Sequence, residues 1–201
     1  MPDPAIEQSR HRLRGSLFAL VVPLCWLGMQ IVHEAGHVLA AWLTRGTVTA
    51  VVLHPLAISR TDVSPNPQPL VVVWGGPIIG CALPMFAWWL TSKAGLPSIH
   101  LWRFFAAFCL VANGVYIGYG VIEPVGDAHD MLRLGTPPWL LAAFGMVTIP
   151  IGFALWNRQG KHFGFGEVAG VVCRGHVFGI VVLLLLVIAF ELLWTRLTGF
   201  R

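Results

Sequence analysis

Charged residues are scarce in this chain of 201 residues: Asp, Glu, Lys and Arg together make up 11% of it, whereas 56% is hydrophobic. Soluble domains carry roughly 25% charged residues, because a folded globule covers itself with groups that water solvates. The mean hydropathy of +0.74 indicates the same deficit of polar surface. These proportions exclude an ordinary water-soluble globule and indicate a protein embedded in a membrane.

The sequence also lacks any Cys-x-x-Cys pair. Its four cysteines lie mainly in apolar runs, and they are Cys25, Cys81, Cys109 and Cys173. A Cys-x-x-Cys pair is the usual sign of a cysteine-based metal site, and isolated cysteines in apolar runs more often behave as small buried hydrophobes than as disulfide or metal ligands. We therefore expect neither disulfides nor cysteine ligands.

Positive charge is present but modest, with 13 basic residues and a net charge of +4. Most of the basic residues flank apolar segments, where they meet lipid headgroups. The lipid bilayer is therefore an expected partner, and nucleic acid is not. With a cytoplasmic N-terminus, eight of the 13 basic residues would lie on the cytoplasmic side, so the positive-inside rule favours that orientation.

Five apolar stretches are long enough to cross a bilayer, since a spanning helix needs about 20 residues. They cover approximately residues 17–43, 70–90, 102–121, 138–156 and 177–194. The sequence predicts an all-α polytopic membrane protein, a bundle of about five transmembrane helices. We expect a polar N-terminal segment over residues 1–16 and a single membrane-embedded domain over residues 17–201. No cleavable signal peptide and no internal repeat are recognised.

Residues 45–69 differ in kind from the apolar stretches around them. The run GTVTAVVLHPLAISRTDV is rich in β-branched residues that roughly alternate with others, and the Pro-Asn-Pro-Gln-Pro run that follows cannot be helical. This pattern predicts a small hairpin-like β element that lies against the bundle after the first span.

The motif His33-Glu34-Ala35-Gly36-His37 lies in the second half of the first span. Residues four apart share one face of an α-helix, so both imidazoles can reach one metal ion. Neutral imidazole suits zinc, and Glu34 can take a proton from a water that the ion acidifies. A charged side chain at mid-bilayer costs about 2.5 to 3.5 kcal/mol, which argues against an accidental cluster. We predict one zinc ion per chain, with His33 and His37 as ligands and Glu34 as catalytic base.

A catalytic zinc site takes a third protein ligand and leaves one position open. Asp127 and Asp130 lie three residues apart and would share one side of a helix. Carboxylate oxygen is an ordinary third ligand beside two histidines. We predict Asp127 as the third ligand and keep Asp130 as an alternative. Both aspartates would also suit the cap of a helix that starts near Ala128.

Two further polar residues lie within the predicted spans. Asn113 lies in the third span, where an amide needs partners, so we predict that it lines the active cavity and binds the substrate backbone. A hydrogen bond between helices is an equal alternative for it. Glu191, near the end of the last span, is expected to reach the interface or to pair with Arg196.

These features together resemble the site-2 protease family of intramembrane zinc metalloproteases, in particular its small bacterial branch. The resemblance rests on four segments, which are HEAGH at 33–37, the strand-like run ending in LHPLA, WGGPIIG at 74–80 and GDAHDM at 126–131. Their order and rough spacing agree with the family over about residues 15–135, while the last two spans match only as apolar helices.

The resemblance implies that His33, His37 and Asp127 bind zinc and that Glu34 is the catalytic base. It also implies substrates that are membrane proteins, cut in or near a transmembrane segment, and a location in the bacterial cell membrane. The family places the loop after the HExxH span on the cytoplasmic side, which is opposite to the orientation that the charge count favours.

The chain departs from the family pattern in three respects. The usual Leu-Asp-Gly motif is replaced by Gly126-Asp127-Ala128, and Asn113 lies fourteen positions upstream of Asp127, farther than is usual for the family's asparagine-proline cluster. No PDZ or CBS module is recognised. The aspartate motif is therefore the weakest part of the resemblance.

The function expected from these observations is hydrolysis of peptide bonds by direct attack of water, with no acyl-enzyme. The strand-like residues 47–60 would bind an extended substrate segment by edge pairing. The alternative is a non-enzymatic membrane protein that retains zinc for structure or metal handling, which would require a fourth protein ligand. A transporter would show inverted repeats, and none is detected.

Overall fold

The computed structural model of the chain describes residues 4–96, 98–163 and 174–197. Six α-helices, one 3-10 helix and one two-stranded sheet lie within these residues. In chain order they are α1 (Pro4–Leu43), β1 (Val48–Val52), β2 (Arg60–Val63), α2 (Pro69–Lys93), α3 (Ile99–Tyr119), α4 (Gly126–Arg133), α5 (Pro138–Trp156), the 3-10 helix (Gly160–Phe163) and α6 (Arg174–Leu197).

Five of the described helices are long and apolar enough to span a membrane. The spanning parts are Gly15–Leu43, Pro69–Lys93, Ile99–Tyr119, Pro138–Trp156 and Val177–Leu197. These five spans confirm the predicted class, an all-α polytopic membrane protein. Helix α1 starts at Pro4, so from that residue onwards the polar segment is part of the same helix as the first span. Proline is favoured in the first turn of a helix, and the Glu, Gln and Arg residues that follow are good helix formers.

The bundle is organised around α1 and α3. Helix α1 packs against α2 and α6, and α3 packs against α2 and α5. The backbones of α1 and α2 touch at two glycines: a Cβ on Gly36 would overlap the carbonyl of Gly75, and one on Gly75 would lie 2.7 Å from the Gly36 oxygen. Small residues permit such close approach between membrane helices. The contact therefore fixes α2 directly against the turn of α1 that carries the HExxH motif.

The β element forms an antiparallel hairpin, as the alternating pattern predicts. Val51 of β1 lies opposite Thr61 of β2. The hairpin is fastened to the end of α6, where the indole of Trp194 donates to the Val51 carbonyl at 2.8 Å and the hydroxyl of Thr195 donates to the Leu53 carbonyl at 2.6 Å. These bonds hold β1 in place and leave β2 facing the bundle.

Glu191 lies on α6 and is 0% exposed. Among the residues that the structure describes, neither of its carboxylate oxygens has a hydrogen-bond partner. The expectation that it reaches the interface or pairs with Arg196 is therefore wrong: the side chain lies inside the bundle, while Arg196 is exposed.

Candidate metal centre

The HExxH turn of α1 places its three polar side chains inside the bundle. His33, Glu34 and His37 are 6%, 2% and 5% exposed. The Nε2 atoms of the two histidines, one helical turn apart, lie 3.1 Å from each other. The helix has therefore brought two ring nitrogens to one point, as the spacing of four predicts.

Asp127, in the first turn of α4, completes a group of three convergent atoms. Its Oδ2 atom lies 2.8 Å from Nε2 of His33 and 3.2 Å from Nε2 of His37. The N-terminal turn of a helix favours a carboxylate because the helix dipole is positive there. Asp130 instead directs Oδ1 at Arg133, 3.2 Å from a guanidinium nitrogen. The geometry therefore favours Asp127 over Asp130 as the third ligand.

The turn before α4 depends on a glycine and a tyrosine. Gly126 has φ +52°, and a Cβ there would overlap the hydroxyl of Tyr116 on α3. That hydroxyl accepts a hydrogen bond from the backbone N–H of Asp127 at 2.9 Å. Only glycine adopts this conformation without strain, so the Gly-Asp pair lets Tyr116 anchor the start of α4 against α3.

The second nitrogen of each histidine faces an oxygen. Nδ1 of His33 lies 2.7 Å from Oδ1 of Asn113, and Nδ1 of His37 lies 2.8 Å from the carbonyl of Val72. The Asn113 amide has only one sensible orientation, because its Nδ2 donates to the carbonyl of Cys109 at 2.9 Å. Both Nδ1 atoms therefore carry the proton in the neutral imidazoles, and both Nε2 lone pairs point at Asp127.

This arrangement fits a zinc ion. Three acceptor atoms that face one another within 3.2 Å repel unless positive charge lies between them. In a tetrahedral zinc site with bonds of about 2.0–2.1 Å, ligand atoms are separated by about 3.3 Å, close to the observed distances. Two histidine nitrogens and one carboxylate oxygen, each histidine oriented by a second acceptor, are a donor set that zinc prefers.

Gly76 lets both imidazoles lie directly against the backbone of α2. A Cβ on this residue would overlap Nε2 of His37 and would lie 2.7 Å from Nε2 of His33. The next residue is Pro77, which has no N–H and so leaves the carbonyl of Val73 without its helical donor. In the Gly-Gly-Pro run, α2 therefore presents backbone without side chains, and with one helical hydrogen bond missing, to the two imidazoles.

Glu34 lies beside the three convergent atoms without being one of them. Carboxylate and ring atoms of His33, Glu34 and His37 lie within 4.8 Å of one another, so these residues alone are a group that could hold a metal. The Oδ2 atom of Asp127 also lies within 4.8 Å of Nε2 of His33 and Nε2 of His37. The Glu34 carboxylate is already engaged, because Oε2 accepts a hydrogen bond from the hydroxyl of Thr61 at 2.7 Å. We therefore assign Asp127 as the third ligand. Glu34 is not assigned as a ligand, and its Oε1 atom remains available for proton transfer.

Opposing effects act on the Asp127 carboxyl. Burial raises its pKa, but the imidazoles of His33 and His37, when they are protonated, donate Nε2–H bonds to the carboxylate and carry positive charge, which outweighs burial and holds the pKa well below its ordinary range. The group is thus ionised at neutral pH, as a carboxylate ligand must be.

A cavity of about 950 Å³ opens onto these residues. Its walls combine the motif face of α1 with strand β2 and the start of α4, and they include Gln30, Glu34, Thr61, Tyr116 and Asp127. Gln30 is 5% exposed and lies one turn before Glu34. The cavity is large enough to hold several residues of an extended peptide next to the histidines.

Fold and site together define a polytopic membrane protein with a buried His-Glu-His cluster able to hold a metal ion. The chain belongs to the Peptidase M50B-like family, which matches residues 16–122, more than half of its length. This match confirms the resemblance to the site-2 proteases and covers the histidine motif, the hairpin and α3.

A protoheme IX farnesyltransferase of Leptothrix cholodnii is 31% identical to this chain over 147 residues, which are 65% of this chain and 44% of that protein. The chain therefore spans less than half the length of that relative. No solved structure matches the chain.

The structure brings His33, Glu34, His37 and Asp127 to one place. Asn113 is 1% exposed and lines the cavity, as predicted. Its amide is engaged on both sides, by His33 and by the Cys109 carbonyl, a geometry that favours orienting His33 over binding substrate.

Two site residues escaped the sequence-based reasoning, namely Thr61 and Tyr116. Tyr116 carried a usable signal, since it is one of only two tyrosines and lies one helical turn from Asn113. Gly76 lay within the GGPIIG segment, but only the structure relates it to the histidines.

Proposed function

We propose that the chain is a zinc metalloendopeptidase that hydrolyses peptide bonds in or near transmembrane segments of membrane proteins. One observation carries the proposal: Nε2 of His33, Nε2 of His37 and Oδ2 of Asp127 converge within 3.2 Å, beside a buried Glu34 that is not needed as a ligand. Three ligands and one open position are the pattern of catalytic zinc sites. Membership of a peptidase family supports the same activity.

His33, His37 and Asp127 would hold the zinc ion, with Asn113 and the Val72 carbonyl fixing the two imidazoles. When bound, the ion would polarise the scissile carbonyl and acidify a water molecule. Glu34 would take a proton from that water as it attacks the carbonyl carbon. It would then give the proton to the departing amine nitrogen, so the carboxylate is regenerated and no acyl-enzyme forms.

The substrate class follows from the place of the cavity among the spans. A helical peptide bond is shielded by its own backbone, so the substrate must be extended at the cut. Strand β2 runs along the cavity and pairs on one side with β1. An extended substrate segment would pair with the remaining edge of β2, which gives backbone recognition with little demand on sequence. We further propose that the protein acts in the bacterial cell membrane.

The second candidate is a membrane protein that keeps zinc for structure or metal handling. Such a site would have four protein ligands. Among the described residues, Glu34 is the remaining acidic side chain grouped with the two histidines, and its Oε2 atom is bonded to Thr61 instead. The hydrolytic function is therefore the better supported of the two.

Metal removal and replacement test the proposal. The purified chain in detergent is incubated with a single-span membrane protein, before and after dialysis against a zinc chelator. We expect cleavage to stop when zinc is removed and to return when one equivalent of zinc is restored. Cleavage that survives complete removal of the metal would contradict the proposed chemistry.

A further inference from the structure

The hairpin contributes a hydroxyl group directly to the proposed catalytic base. The hydroxyl of Thr61, in β2, donates to Oε2 of Glu34 at 2.7 Å. Within the described part of the chain, no other side chain is hydrogen-bonded to that carboxylate. A bond of this length to an ionised oxygen is a charge-assisted hydrogen bond, roughly twice as strong as a neutral one.

The bond constrains how Glu34 can act. Glu34 as a residue is 2% exposed, so its carboxylate has little contact with bulk water. With Oε2 held by Thr61, rotation about the last side-chain torsion is restricted, and Oε1 is the oxygen left to receive a proton. Orientation of a reacting group within a few tenths of an ångström is a large part of catalytic rate.

The position of Thr61 is in turn set by the hairpin. Thr61 pairs with Val51 of β1, and the Val51 carbonyl accepts the indole N–H of Trp194 at 2.8 Å. A series of contacts therefore runs from α6 through the two paired strands to the base on α1. A shift of β2 would move the oxygen that holds Glu34.

From this geometry we infer that Thr61 is a positioning residue, which orients the Glu34 carboxylate for proton transfer and so makes the hairpin part of the catalytic apparatus. The inference rests on the proposed peptidase function. It differs from a role in substrate binding, because the hydroxyl is already bonded to Glu34 before any substrate enters. The step it serves is the transfer of a water proton to Oε1 and then to the amine.

Two substitutions separate the hydroxyl from the shape of the side chain. Thr61→Val removes the hydroxyl and keeps the β-branched form that strands favour, while Thr61→Ser keeps the hydroxyl and removes the methyl group. Thr44→Val is the matched control, because the Thr44 hydroxyl bonds only backbone carbonyls at the end of α1. Zinc affinity, kcat and KM are measured for all three and for the wild type.

We expect Thr61→Val to lower kcat about 10- to 100-fold, as for loss of a hydrogen bond to a charged group. KM and zinc affinity should stay within about twofold of wild type. Thr61→Ser should restore kcat to within about threefold, and Thr44→Val should match the wild type. In infrared difference spectra against Glu34→Gln, the zinc-loaded Thr61→Val protein should show a displaced Glu34 carboxylate band, whereas Thr61→Ser should not.

Three results would overturn the inference. These are a wild-type kcat in Thr61→Val, equal loss in Thr61→Val and Thr61→Ser, or an unshifted carboxylate band. The first two show that the hydroxyl does not position the base, and the third shows that the bond does not exist in the zinc-loaded protein. A wild-type protein that binds zinc but does not cleave is a separate failure, because it rejects the peptidase function itself and the Thr61 role with it.

Discussion

Substitution of Gly76 by alanine should remove the metal without unfolding the bundle. The added Cβ would overlap Nε2 of His37 and lie 2.7 Å from Nε2 of His33, whereas ordinary contact begins near 3.4 Å. To reach ordinary contact with the new Cβ, Nε2 of His33 would have to move away by about 0.7 Å. Metal–ligand distances in zinc sites vary by only about 0.2 Å. Outer-shell changes around zinc cost about 10- to 100-fold in affinity, so displacement of the ligand atoms themselves should cost at least about 100-fold.

Zinc affinity is measured by competition with a chelator of known strength, using purified protein in detergent. Gly179→Ala in α6 is the matched control, because nothing lies within 4 Å of a Cβ there. It should bind zinc as the wild type does and should be slightly more stable, since alanine is favoured over glycine in a helix by about 0.5–1 kcal/mol. Wild-type zinc affinity in Gly76→Ala would refute the placement of the metal against α2.

Three further substitutions test the third ligand and its anchor. Asp127→Asn should lower zinc affinity at least about 100-fold, because the amide supplies no negative charge to the ion, while Asp130→Asn should leave it within about twofold. Equal effects of the two changes, by the same chelator competition, would reject the assignment of Asp127. Tyr116→Phe should lower zinc affinity about threefold to tenfold, because the N–H of Asp127 loses its acceptor; an unchanged affinity would show that this bond does not position α4.

The spans and the histidine motif were predictable because each depends on local sequence. Long apolar runs gave the five spans to within a few residues, and the spacing of His33 and His37 placed two imidazoles on one helical face. The β-branched run before the prolines likewise predicted the hairpin. In each case the signal is a short-range period that needs no knowledge of what packs against it.

The surroundings of the motif were not predictable, because they depend on how distant elements meet. The bond between Thr61 and Glu34 joins a strand to a helix 27 residues away, and one residue of slip in the hairpin would turn that hydroxyl outwards. From the sequence, the Asn113 amide could equally bind the substrate or form a hydrogen bond to a neighbouring helix. Only the packing of α3 against α1 directs it to His33.

Glu191 is a residue for which the local sequence gave a wrong prediction. Its place near the end of an apolar run suggested an interfacial position, which is where long charged side chains usually lie. The end of α6 instead docks on the hairpin through Trp194 and Thr195, and Glu191 faces inward and is buried. The burial follows from a contact across more than a hundred residues of sequence, which no local pattern reports.

The most direct test of the central claim is a comparison of wild type with Glu34→Gln, measuring zinc content and cleavage of a single-span membrane protein in the same preparations. Glutamine keeps the shape of the side chain and a hydrogen-bond acceptor for Thr61, but it cannot accept the water proton. We predict one zinc per chain in both proteins and cleavage by the wild type alone. Zinc in neither protein, or equal cleavage by both, would contradict the account.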